Sequence, residues 1–114
     1  MEDLDARLLV DLLRDRMTPD KSLGQHFLLD ESVIARSIQL PSEHGSPVNR
    51  DSHVLEVGPG PGSLTLGILR TGARLTALEI DEEAVDHLNR VFTTNEEALT
   101  TLFFPPFIFL ILEK

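Results

Sequence analysis

The stretch Val54-Leu55-Glu56-Val57-Gly58-Pro59-Gly60-Pro61-Gly62-Ser63-Leu64-Thr65 constrains this chain most, because it combines a strand, a glycine turn and the opening of a helix. Val54, Leu55 and Val57 form a short apolar run of the kind that fills a central parallel strand, and Gly58, Gly60 and Gly62 follow at once. Glycines accept positive φ and carry no Cβ, so a ligand can lie directly on such a backbone. A helix that opens near Ser63 points unpaired N–H groups back at the turn, where polar or anionic groups can accept hydrogen bonds.

A glycine turn alone does not define a ligand, since many mononucleotide folds carry one. The residues downstream narrow the choice. Leu75-Thr76-Ala77-Leu78-Glu79-Ile80-Asp81 reads as a second strand with a carboxylate at its end. Glu79 lies about twenty residues beyond the first glycine, where a dinucleotide fingerprint places its ribose-binding acid. These stretches predict a βαβ unit with a nucleoside site. Glu56 stands two residues before Gly58, where a nicotinamide site has an apolar residue. An acid there suits a ligand with an amine, such as the methionine part of S-adenosylmethionine (SAM). The glycines are also spaced Gly-x-Gly-x-Gly, not Gly-x-Gly-x-x-Gly, and both departures favour SAM over NAD.

With 114 residues, 41% of them hydrophobic, the chain is one domain at most, with a modest core. Pattern supports two strands, with a third expected near the end, fewer than a complete doubly wound sheet needs. The absence of cysteine excludes a disulfide framework and a thiolate metal site, and fits a reducing compartment. Met1-Glu2-Asp3-Leu4-Asp5 is acidic where a presequence would be basic, so a cytoplasmic protein is expected. The net charge of −9, from 10 Lys and Arg against 19 Asp and Glu, is the wrong sign for gathering nucleic acid. Any surface for RNA must then be local, or lie in sequence beyond this chain.

Leu4, Leu8, Leu9, Leu12 and Leu13 recur at helical spacing between Glu2 and Arg16, and this stripe reads as core or partner packing. Thr18-Pro19-Asp20 ends that helix, and residues 21–30 form a loop of mixed chemistry. Asp30 caps a second helix that buries Val33, Ile34, Ala35 and Ile38 and stops at Pro41. Ser42 to Ser52 reads as an exposed connection, in which His44 has no second metal ligand at suitable spacing. A short helix with Leu64, Ile68 and Leu69 inward ends at Thr71-Gly72. Asp81-Glu82-Glu83 opens a further helix whose buried stripe is Ala84, Val85, Leu88, Val91 and Phe92. The tail is almost wholly apolar from Leu102 to Leu112, too short for a membrane span, and divided by Pro105-Pro106. Phe107 to Leu112 is its one candidate strand, and the tail is expected to be a truncated or altered terminus.

Lys21-Ser22-Leu23-Gly24-Gln25-His26-Phe27-Leu28-Leu29-Asp30, the stretch from Val54 to Thr65, and Ala77-Leu78-Glu79-Ile80-Asp81 together closely resemble the ribosomal RNA adenine N6,N6-dimethyltransferases, the kasugamycin-sensitivity family. The erythromycin-resistance methyltransferases are a sibling group that shares much of the pattern. The match covers about residues 18 to 92, and the Gly-Gln-His-Phe-Leu loop makes it specific. The resemblance implies a SAM-dependent enzyme that dimethylates N6 of adjacent adenosines in small-subunit ribosomal RNA, with the ribosomal subunit as partner, no membrane and no metal. It implies that His26 and Leu28 line the cofactor pocket, that Gly58 approaches the methionine part, that Gly60 also binds cofactor, and that Glu56 holds the amine. Glu79 would take the ribose hydroxyls through two charge-assisted hydrogen bonds. Gln25, over the target base, Gly62, in the turn, and Glu97, as the acid for the adenine amine, are further candidates.

The family's Asn-Leu-Pro-Tyr type motif, which accepts hydrogen bonds from the target amine and stacks on the flipped base, has no counterpart here. Phe104-Pro105-Pro106-Phe107 has Phe where an amide is required, so no catalytic residue is assigned. The family's small helical C-terminal domain is likewise expected to be absent from this chain. The expected fold is α/β: a partial Rossmann-like SAM-methyltransferase fold, a parallel sheet with flanking helices, preceded by an N-terminal helical arm. The expected division is an arm and cofactor-covering loop over 1–52, a core over 53–102 and the apolar tail over 103–114. The chain itself is expected to be a fragment that transfers methyl groups poorly or not at all. A non-catalytic RNA-binding or ribosome-assembly module, a SAM methyltransferase of another substrate and an NAD-dependent oxidoreductase are the alternatives.

Overall fold

In the computed structural model, which describes residues 3–15, 30–95 and 97–104, the elements run α1 (Ala6–Arg14), α2 (Glu31–Glu43), β1 (His53–Val57), α3 (Ser63–Arg70), β2 (Arg74–Glu79), α4 (Glu82–Val91) and β3 (Leu99–Phe103). The strands pair in the order β1-β2-β3, all parallel, with Val54 beside Leu75 and Leu75 beside Leu99. Both crossovers step in one direction, and right-handed connections then put their helices on one face of the sheet. α3 packs on β2, and α4 packs on β2 and β3.

That face carries the core. Leu66, Ile68 and Leu69 of α3 meet Leu75, Leu88 and Phe92, and α1 lays Leu9 into the same cluster. Alternation along β2 buries Leu75, Ala77 and Glu79 beneath the helices. On the opposite face Leu55 and Val57 are 63% and 64% exposed, and Leu102 is 46% exposed. Among the described residues the sheet is covered on one side.

Several expectations need correction. β1 is the sheet's edge, not a central strand, among the described residues. The third strand is Leu99–Phe103, earlier than expected, and residues 105–114, with the candidate strand Phe107 to Leu112, lie outside the described residues. α2 runs past Pro41 to Glu43; Pro41 sits in the last turn, and its carbonyl accepts from the N–H of His44 at 3.1 Å and of Ser46 at 2.8 Å. Of the four residues expected to be buried on α2, only Ile34 is; Ile38 is half-buried, Ala35 is exposed and Val33 is 47% exposed. α1 buries Ala6, Leu9, Val10 and Leu13, while Leu8 and Leu12 are more than a third exposed. Its start is anchored by Ala6, whose amide donates to Glu31 Oε1 at 3.1 Å, and by Asp5, which caps the helix through the Leu8 amide.

Candidate functional site

The glycine turn leaves the C-terminal end of β1 and enters α3, and the β2–α4 unit holds it along its length. At its root Gly58 N donates to Leu78 O at 2.8 Å; at its tip Gly60 N donates to Glu79 Oε1 at 3.0 Å. All three glycines have positive φ: 72° at Gly58, 56° at Gly60 and 99° at Gly62. They do different jobs. A Cβ on Gly58 or Gly60 would meet open space, so their strain-free positive φ shapes a surface with room above it. A Cβ on Gly62 would fall 2.8 Å from Leu88 Cδ2 and 2.9 Å from Phe92 Cε2, and its N–H closes the turn onto Pro59 O. Gly62 is therefore a packing glycine whose missing Cβ makes room for α4.

Glu79 stands at the end of β2, 5% exposed, with its carboxylate fully oriented by backbone amides. Oε1 accepts from Gly60, and Oε2 accepts from Ile80 at 2.9 Å and Asp81 at 3.1 Å. A carboxylate offers about four acceptor positions, so roughly one remains, and a pair of vicinal hydroxyls fits only when one of the three amides yields its place. Glu56, at the buried inner side of β1, accepts from the Thr65 hydroxyl at 2.6 Å through Oε1. Burial pushes the Glu56 carboxyl up to about 7; the Thr65 hydrogen bond opposes that rise and the charge of Glu79 adds to it. The site thus holds an acid that readily exchanges a proton near neutrality beside one fixed by three amides.

α3 starts without a side-chain cap, since Gly62 occupies the cap position. Its first amides, from Ser63 on, face the turn. Ser63 Oγ is buried and has no hydrogen-bond partner, the kind of group that a bound ligand or water satisfies. A cavity of about 420 Å³ lies along the free edge of β1, lined by Glu56, Gly58, Pro59 and Ser63 and walled by Ile38 and Pro41 of α2. Glu56 lines it and Glu79 does not.

The structure brings Glu56, Gly58, Gly60 and Glu79 together. Glu97 lies elsewhere: it precedes β3, at the end of the sheet where Ala98 O accepts from Leu75 N, opposite the end that carries the turn. A parallel register fixes this, because a residue before β3 cannot reach the carboxyl ends of β1 and β2. The position at that end is Phe103-Phe104, with the Phe104 amide on Glu79 O at 2.7 Å and no acid. Gln25, His26 and Leu28 lie outside the described residues. Sequence reasoning missed His87, which is 1% exposed and places Nε2 2.7 Å from Pro61 O. Its position on the buried stripe of α4, one residue before Leu88, was the available signal. Among the described residues no group of three or more metal-ligating side chains occurs, and no helix is long and apolar enough to cross a membrane.

The family model described as ribosomal RNA adenine dimethylase matches residues 17–102. The ribosomal RNA small subunit methyltransferase A of Bifidobacterium adolescentis is 49% identical over 72 residues, which cover 63% of this chain and 22% of that protein. The protein of the same name from Mycolicibacterium gilvum is 43% identical over 94 residues, covering 72% and 28%. The chain thus spans less than a third of the length of these relatives. In fold it is similar to a crystal structure described as an RNA methyltransferase from Pyrococcus horikoshii, with a TM-score of 0.66 at 22% identity, covering 88% of this chain and 50% of that one. A structure described as a caffeoyl-CoA O-methyltransferase from Staphylococcus aureus gives 0.55 at 14% identity, covering 87% and 50%. The shared architecture is a partial Rossmann-like methyltransferase fold.

Proposed function

We propose, from the premise that this chain belongs to the ribosomal RNA adenine dimethylase family, that it is the cofactor-holding part of an enzyme that dimethylates N6 of adjacent adenosines in small-subunit ribosomal RNA in the cytoplasm. The single observation that carries the cofactor assignment is the approach of the Gly60 amide to the Glu79 carboxylate, which sets the glycine turn against the acid that ends the next strand. The residues present fit SAM: Gly58 and Gly60 leave open space above the turn, Ser63 Oγ lacks a partner and Glu56 is a buried acid. When bound, SAM supplies a sulfonium methyl for direct in-line transfer to an amine.

In this reading the Glu79 carboxylate holds the ribose hydroxyls, releasing Gly60 as it does so. Glu56 holds the methionine amine, and the α3 amides with Ser63 receive the carboxylate of the same moiety. By the family pattern His26 and Leu28, outside the described residues, would line the pocket. The protein's contribution to transfer is orientation and electrostatics around the amine. The 114-residue chain carries no Asn-Pro-Tyr type segment to accept hydrogen bonds from the target N6, so it is expected to bind cofactor but to dimethylate poorly or not at all.

Calorimetric titration of the chain with SAM, S-adenosylhomocysteine and NAD tests this: the first two bind and NAD does not. Binding of NAD alone would overturn the assignment, and robust dimethylation of small-subunit RNA by this chain would overturn the second part. The missing amide motif favours one other reading, a non-catalytic ribosome-binding module. It would bind a ribosomal subunit equally with and without SAM.

A further inference from the structure

We infer that His87 is a positioning residue of the glycine turn, its imidazole N–H holding the Pro61 carbonyl so that Gly58 and Gly60 keep the shape a cofactor meets. A carbonyl oxygen accepts, so the 2.7 Å contact makes Nε2 of His87 the donor. The contact is internal, with His87 1% exposed on the same face of α4 as Leu88 and Phe92, the side chains against which Gly62 packs.

Among the described residues, polar contacts at Gly58, Gly60 and Pro61 tie the turn to the β2–α4 unit, and they are not equivalent. The Gly58 contact to Leu78 O extends the sheet and fixes only the root. The Gly60 contact occupies Glu79 Oε1, which on the SAM reading is wanted by ribose. The His87 contact holds the second half of the turn to α4 without competing with a ligand, beside the Gly62 N–H bond to Pro59 O inside the turn. When Gly60 gives up Glu79, His87 is the polar contact that keeps the exit of the turn, and with it the start of α3, in register. Removing its donor leaves a buried carbonyl unpaired, a change of the size that shifts a closed–open balance about tenfold.

This inference rests on the SAM reading, and two measurements keep them apart. Gln carries its Nε2 donor the same number of bonds from Cβ as His, whereas Phe keeps much of the volume and has no donor. In the ligand-free chain, amide exchange at Gly60 and Gly62 is expected to quicken about tenfold in His87→Phe and to stay near wild type in His87→Gln. SAM affinity is expected to fall about tenfold in the Phe variant and to be largely restored in the Gln variant. Equal exchange in all three proteins, or equal impairment in both variants, overturns the role of the donor. A wild-type chain that shows the exchange pattern and does not bind SAM overturns the cofactor reading and leaves the restraint standing. Should the Phe variant not fold, ring-nitrogen NMR of the wild type decides: a protonated, slowly exchanging Nε2 supports the contact, and a bare Nε2 overturns it.

Discussion

Glu56 is the residue whose chemistry is most exposed to test. Its carboxyl, held near 7 by burial against an ordinary value of 4.5, favours the neutral form in the folded chain. A raised pKa in an acid means that folding is helped most below 4.5 and that this help is lost as pH climbs through 7. The full loss is about 3 kcal/mol at roughly 1.4 kcal/mol per tenfold change in proton affinity. Glu56→Gln, which keeps an acceptor for Thr65, is therefore expected to be more stable than wild type at pH 8, with the advantage gone by about pH 4.5. Urea unfolding across that range measures it; a pH-independent gap between the two proteins would contradict the assignment. Pairing with an amine needs the ionised form, so SAM affinity of the wild type rises with pH up to about 7, and the Gln variant binds weakly without that slope. The spacing of Glu56 and Glu79 from Gly58 made both acids legible in the sequence. Their states were not, because desolvation and the three amides on Glu79 depend on what packs around them.

At the scale of elements, the glycine turn, α3, β2 and α4 were readable because each carries local chemistry that agrees with its surroundings: positive-φ glycines, Gly72 at φ 88° after α3, and Asp81 capping α4 through the Glu83 amide. Elements whose placement depends on distant partners were read less well. Leucines at 8, 9, 12 and 13 cover more of a helical wheel than one face, so the stripe of α1 is chosen by contact with α3 and α4 and falls on Ala6, Leu9, Val10 and Leu13. α2 has one fully buried residue, which periodicity overstated. β3 is a Thr-rich strand with no apolar alternation, Leu99-Thr100-Thr101-Leu102-Phe103, and its pairing with β2 is what defines it. The α1 face predicts a contrast: Leu9→Ala costs about 2–5 kcal/mol, as for a cavity in the core, and Leu12→Ala costs less than about 1 kcal/mol. Thermal unfolding of the two variants measures it; equal losses would place the α1 face wrongly.

Among the described residues the molecule is a parallel sheet with helices on one side and Leu55, Val57 and Leu102 exposed on the other, in a chain that spans less than a third of the relatives it matches. Parallel sheets are ordinarily covered on both faces. The described residues nevertheless contain the two strand ends that, on the proposed reading, build a nucleoside site, and those ends meet. Sequence order alone announced that meeting, since a glycine turn after one strand and an acid after the next are neighbours in any parallel βαβ unit. Backbone amide NMR of the 114-residue chain titrated with SAM tests it most directly. The expected result is a linked set of shifts at Gly58, Gly60, Ser63, Glu79, Ile80 and Asp81, with Gly60 moving most as its bond to Glu79 is exchanged for ribose. Shifts confined to the open face around Leu55 and Leu102, with Gly60 unmoved, would contradict the account.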